Sequence, residues 1–219
     1  MKRFFLLTAS ALYALLAFAQ EGGPLEGFAA SLASGEVSFK YSFEVKGDIP
    51  MTGNGTAALR GASYHVFGNG MDLWCDGKTR WTIDRNAREA YIEAVDPDAA
   101  DYLSNPASLL NALDRAFEVQ SVSDVTLSGK KLRAVKMTPA VEDTGLQTVT
   151  LYLDGAAPAR VSITVDDGTE TLFRISSYSV KEKSDAAFSF DIASLGAEYV
   201  VTDLRYSTWS RTQRTFSAI

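Results

Sequence analysis

The 219-residue chain carries one cysteine and one histidine, and that scarcity removes several kinds of chemistry at once. A single cysteine, Cys75, permits no internal disulfide, so packing alone must hold the fold. One histidine with one cysteine cannot supply the three or four ligands of a usual zinc site. His65 stands between Tyr64 and Val66 in a strand-like run, and the sequence places no base beside Cys75 and contains no Gly-x-Ser-x-Gly elbow. Ser-His and Cys-His machinery therefore rests on one unsupported imidazole. Asp96, Pro97 and Asp98, with Asp101 close behind, lack the central glycine and closing glutamate of an EF-hand and read as a solvated loop. No carboxylate pair sits in an aromatic setting of the kind that raises one pKa for glycosidase work. The chain reads as a non-enzyme that needs neither metal nor cofactor, with Cys75 packed in a strand as a small apolar residue.

Long apolar runs are also missing, except at the start. Lys2 and Arg3 precede an almost wholly apolar stretch over residues 4–16, and Ala17-Phe18-Ala19 gives the small-x-small pattern that signal peptidase reads. Residues 1–19 are thus expected to be a signal peptide cut after Ala19, the run being short of the roughly 20 apolar residues a span needs. No cysteine follows the cut to take a lipid, so the mature protein is expected to be exported and soluble. An excess of positive charge is absent too: without Lys2 and Arg3 there remain 19 basic against 27 acidic residues, a net of −8. That balance opposes nonspecific binding to nucleic acid or anionic lipid.

What is present is alternation. In residues 36–46, Val37, Phe39, Tyr41, Phe43 and Val45 alternate with Ser38, Lys40, Ser42 and Glu44, a strand with one buried face. The same period marks residues 56–60, 64–67, 71–75, 79–84, 90–95, 122–127, 132–137, 147–154, 160–165 and 171–180. Gly53-Asn54-Gly55, Gly68-Asn69-Gly70, Asp76-Gly77, Asp154-Gly155 and Asp166-Asp167-Gly168 punctuate them as turns. Short, evenly spaced strands of this kind mean an antiparallel meander in one domain.

Two segments change period. Leu25, Phe28, Ala29 and Leu32 have helical spacing before Gly35. Asn105 as N-cap and Pro106 at the first helical position open a second stripe of Leu109, Leu110, Leu113 and Phe117. A single curved sheet of this length must cover its concave side. Both helices are expected there as a plug or lid over an open or half-closed barrel, a mainly β fold.

Residues Asp76-Gly77-Lys78-Thr79-Arg80-Trp81 resemble the Asp-Gly-Lys-Thr-x-Trp hairpin typical of the LolA family of periplasmic lipoprotein carriers. Asp-Gly suits a type I′ turn, after which Trp81 is expected to point to the apolar side. The surrounding order is similar as well: an N-terminal helix, a Phe-rich first strand, the Gly-x-Gly-Thr-Ala-Ala-Leu-Arg strand ending at Arg60, the aromatic Tyr64, and a Pro-led helix. The resemblance spans residues 25–205, leaving 206–219 as a polar tail without expected order. It implies an unclosed half-barrel whose helical lid caps a cavity for acyl chains. Phe39, Tyr41, Phe43 and Trp81 would line the cavity floor, with Leu109, Leu110, Leu113 and Phe117 facing it from the lid helix. It also implies that Arg60 clasps the lid, although Gly61 stands where the family usually has proline. The implied partners are acylated lipoproteins, an inner-membrane lipoprotein-releasing ABC transporter and an outer-membrane acceptor, served by a monomer in the periplasm. An envelope-stress sensor or ligand-binding module on the same fold, a secreted hydrolase, and a structural β protein whose apolar face is simply core are the competing readings.

Overall fold

The computed structural model describes residues 23–96, 106–113, 116–142, 144–181 and 188–205. The expected signal peptide, the Asn105 cap, most of the acidic loop after Asp96 and the 206–219 tail lie outside the described residues.

Twelve strands form one sheet. β1 (Glu36–Lys46), β2 (Met51–Arg60), β3 (Ser63–Gly68), β4 (Met71–Cys75), β5 (Thr79–Asp84) and β6 (Glu89–Ala94) make a first meander, and β7 (Phe117–Leu127), β8 (Lys130–Pro139), β9 (Leu146–Asp154), β10 (Ala157–Val165) and β11 (Glu170–Lys181) make a second. β11 returns to pair with β1, so the order runs β12-β6-β5-β4-β3-β2-β1-β11-β10-β9-β8-β7, with the sheet unclosed between β7 and β12. Every pairing is antiparallel except that of β12 (Val200–Asp203), which lies parallel to β6. The four-residue β12 was not expected from the pattern, because it is too short for alternation to register.

Among the described residues two helices accompany the sheet, α1 (Glu26–Ser34) and α2 (Pro106–Ala112). Leu25 occupies the N-cap of α1 without a side-chain cap bond, and Gly35 ends it with extended backbone at φ 171°. A nine-residue helix without a cap is not stable alone in water. It holds here because Phe28 and Leu32 are buried, each contributing roughly 1.5–3 kcal/mol of apolar burial. Leu25, Phe28 and Leu32 share one core with Leu109, Ala112 and Leu113, and with Val37, Val135, Met137, Val149, Leu151 and Val161 of the sheet. Both helices thus sit on the same side of the sheet.

Three expectations are corrected. Phe117 is not on the second helix: α2 ends at Ala112, and Phe117 opens β7, five residues earlier than the alternation suggested. Gly53-Asn54-Gly55 is no turn but the middle of β2, with Gly53 opposite Phe43 and Gly55 opposite Tyr41. The type I′ turn is not at Asp76-Gly77, where Gly77 alone has positive φ at 91° and the Asp76 carboxylate accepts the amides of Lys78 and Thr79 at 2.8 Å each. It is instead in the hairpin before it, where Asn69 (51°) and Gly70 (79°) both have positive φ.

Candidate functional site: the aromatic face

Cross-strand pairing decides which side chains share a face, because neighbours in sequence point to opposite sides. One row runs Phe39–Ala57–Val66–Leu73 and the next Tyr41–Gly55–Gly68–Met71. On the other side of β1, Tyr41 pairs with Ile175 and Phe43 with Phe173. Val37 belongs to the same side, so this is the helix-bearing face.

The helices bury only one end of that face. Leu59, Tyr64 and Cys75 are fully enclosed there, whereas Tyr41, Phe43, Val45, Leu73, Phe173 and Ile175 are only partly buried. The rings form a cluster, with Tyr41 to Phe43, Tyr41 to Phe173 and Phe43 to Phe173 centroids at 6.5, 6.1 and 6.0 Å. Glycine makes that arrangement possible. A Cβ on Gly53 would stand 2.5 Å from the Phe43 ring, and one on Gly55 would stand 2.6 Å from the Tyr41 hydroxyl. The two rings therefore lie over bare backbone instead of projecting into solvent. Burial raises the Tyr41 pKa, so the phenol is neutral at physiological pH and the surface is apolar and uncharged.

The expected cavity residues fall into three groups. Phe39, Tyr41 and Phe43 share this face. Leu109, Leu113 and Phe117 are buried in the core with α1, while Leu110 is half-buried where that core meets the cluster of Ala57, Leu59, Tyr64 and Cys75. Trp81 is on the opposite face, since it pairs with Trp74, which pairs with His65 and so with Ala58. The physical reason is parity: the Asp76 turn sets Cys75 against Arg80, and so places Trp81 one residue out of step with the apolar row. Phe173 was missed. Its only signal was an apolar position in an alternating strand, and the pairing of β1 with β11 comes from opposite ends of the chain.

The far face has its own contents. His65 Nε2 lies 2.7 Å from Asp72 Oδ1, the His65 ring stacks on Trp74 at 3.6 Å, and Arg85 binds the other oxygen of Asp72. Burial works against the charged form of Asp72, but the hydrogen bonds from His65 and Arg85 outweigh it and hold the carboxyl below its usual range. Residues of the C-terminal segment cover this side: Phe190 meets Trp74 with centroids 6.1 Å apart, and the Arg60 guanidinium lies 5.1 Å over the Phe188 ring. Helix α2 is tied to the β2–β3 turn by Asn111 Nδ2, which donates to the Gly61 carbonyl at 2.8 Å.

This geometry bears on catalysis. Cys75 projects to the helix side and His65 to the far side, so the two cannot work as a nucleophile and base. Burial also raises the Cys75 pKa, which keeps it a thiol. Tyr64, opposite Cys75, is pushed up to about 12 by burial and by the neighbouring thiol, against the opposing pull of Arg80. Among the described residues no cluster of three or more His, Cys, Asp or Glu could hold a metal ion, and no helix is long and apolar enough to cross a membrane.

Residues 69–191 match the family model described as outer membrane lipoprotein carrier protein LolA. Among solved structures, an uncharacterized conserved protein from Thermus thermophilus is similar with a TM-score of 0.51 and 10% identity, covering 82% of this chain and 96% of that one. A LolA superfamily protein from Nitrosomonas europaea is similar with a TM-score of 0.41 and 8% identity, covering 76% and 96%. At 10% identity the likeness to the Thermus thermophilus structure speaks for the fold alone. No match was found among curated proteins.

Proposed function

Because the chain belongs to the LolA family of outer membrane lipoprotein carrier proteins, we propose that it binds the acyl chains of lipoproteins on its aromatic face and carries them toward the outer membrane. The observation that supports this reading is the partly buried cluster of Tyr41, Phe43 and Phe173, with Tyr41 and Phe43 laid over glycine backbone, an apolar surface that the core covers only in part. A lipid chain of about fifteen methylenes at about 0.8 kcal/mol each forfeits on the order of 12 kcal/mol in water, so a carrier must enclose most of it.

On this reading the unclosed sheet is a half-barrel and the two helices are its lid. Leu110, between the two apolar clusters, stands at the inner boundary of the space a chain would enter, and Leu109, Leu113 and Phe117 would part from the sheet as cargo goes deeper. Handover requires the empty state to be stabilised by its own lid contacts, which closing restores when cargo leaves. Transfer then involves no covalent change. The mature domain would be residues 20–205 in the periplasm, monomeric, loaded by a lipoprotein-releasing ABC transporter of the inner membrane and emptied by an outer-membrane acceptor.

Titration of the detergent-free protein with a long-chain fluorescent fatty acid and a diacylated lipopeptide tests the proposal. Binding should be saturable, and Phe43→Asp or Phe173→Asp should weaken it by about tenfold or more, equivalent to at least about 1.4 kcal/mol, with the far-UV spectrum unchanged. Failure of the wild-type protein to bind either probe would sink the carrier reading.

A further inference from the structure

The side of the sheet behind the aromatic cluster carries a concentration of positive charge that the fold does not explain. Lys40, Ser42 and Glu44 of β1 and Arg174 of β11 alternate with Tyr41, Phe43 and Phe173 and so point the other way, as Arg160 of β10 does beside the core residue Val161. There Arg174 stands directly opposite Arg160, and Lys40, opposite Ser176, is the diagonal neighbour of Arg174. Three cations on the adjacent strands β1, β11 and β10 thus share one patch, in a chain whose net charge is −6. Like charges directly opposite one another in an antiparallel pair are destabilising. The two arginines are drawn apart accordingly. Arg174 Nη2 lies 3.3 Å from Glu44 Oε2 on one side, and the Arg160 guanidinium lies 5.9 Å over the Tyr152 ring on the other. Among the described residues neither Arg160 nor Lys40 has an ion pair. The next acid along, Glu170, is engaged by Lys46 at 3.8 Å and by the Ser162 hydroxyl, which donates to it at 2.8 Å. We propose that Arg160 and Arg174 form a binding site for a phosphate-type oxyanion, which lies between the two guanidinium groups and displaces Glu44 from Arg174, with Lys40 adding charge at the edge.

The donor set selects the ligand. A guanidinium presents a planar fork of N–H donors that matches two oxygens of one anion. Two forks on neighbouring strands suit a tetrahedral group with three or four oxygens, whereas a carboxylate has only two oxygens and a single charge to share between them. Tyr152 positions Arg160 without neutralising it, so the whole charge remains for the ligand. The Arg174–Glu44 pair is 49% and 38% exposed, and an exposed pair yields to a stronger anion because water already screens it. A free phosphate and the phosphodiester of a lipid headgroup share this chemistry. The site lies across the sheet from Tyr41, Phe43 and Phe173, so it does not depend on what the aromatic face binds.

Thermal unfolding in sodium phosphate, beside sodium chloride at matched ionic strength, gives the test, since an anion that binds the folded chain stabilises it by mass action. Phosphate should raise the wild-type midpoint above that in chloride, and the rise should follow a saturable binding curve. Arg160→Gln and Arg174→Gln should each weaken the apparent affinity by about fivefold or more, and Glu44→Gln should strengthen it by about twofold or more, with far-UV spectra unchanged. Lys78→Gln, at an exposed position in the β4–β5 turn, should leave it as it is. Titration with glycerophosphoglycerol, a soluble lipid headgroup, separates the two sources. Tighter binding than that of phosphate assigns a headgroup and weaker binding a free phosphate, and either result upholds the site. Equal stabilisation by phosphate and chloride, an affinity indifferent to both arginine variants, or an equal loss in Lys78→Gln would overturn the proposal.

Discussion

At the scale of single residues, two side chains on the far face report on how the molecule is held. Asp72 is buried with His65 and Arg85 as partners, and its folded pKa is depressed. A depressed folded pKa adds stability that is fully present above the unfolded value of about 3.9 and is lost as the pH falls through the lower folded value. Asp72→Asn should therefore cost about 1.5–3 kcal/mol at pH 7, the worth of a charge-assisted hydrogen bond. Its chemical denaturation curve should begin to approach that of wild type only as the pH falls below about 4, and meet it below the depressed folded pKa; a constant gap across that range would show that packing and not charge is responsible. Arg60 ends β2 with its guanidinium over Phe188, a contact worth about 0.5–1 kcal/mol. Arg60→Leu should leave the fold intact and forfeit that contact. If Arg60 also clasps the helical lid, as the family resemblance implies, loading with lipoprotein should persist in Arg60→Leu while release to acceptor membranes falls. Unchanged release would reject the clasp and leave Arg60 as a strap on the C-terminal segment.

At the scale of elements, β2 is the strand that tests the description of the aromatic face. Gly53-Asn54-Gly55 looks like a turn when read along the chain, yet all three residues pair with β1, whose Phe43 and Tyr41 rings lie over the two glycines. Gly55→Ala would put a methyl 2.6 Å from the Tyr41 hydroxyl and 2.2 Å from the Phe67 carbonyl oxygen, the second of which is backbone and cannot swing away. The variant should unfold about 1–3 kcal/mol more easily and show altered near-UV dichroism as Tyr41 is displaced. A loss no greater than a few tenths would mean that β2 is free to shift and that the rings do not need bare backbone. The helices make the converse point. Their spacing was legible from Leu25, Phe28 and Leu32, and from Leu109 and Leu113, because a 3.6-residue period needs only local sequence. The end of α2 was not legible, since Phe117 continues the apolar stripe numerically while belonging to β7, where it packs into the same core from a different element.

At the scale of the whole molecule, alternation, turn residues and two helical stripes were enough to establish a mainly β domain with helices packed on one sheet, and the Asp76–Trp81 hairpin was enough to point to its family. These are local properties: the side-chain period of a strand and the conformational demands of a turn are written within a few residues. Tertiary structure alone decided which side each strand presents, because a one-residue difference at a turn moves an entire strand's side chains to the other face. That is how Trp81 came to share a face with His65 and Trp74, while Phe173, distant in sequence, joined Tyr41 and Phe43. The His65–Asp72–Arg85 cluster and the cover over it were likewise decided by pairing between strands and by the return of the C-terminal segment, distances that no local pattern encodes.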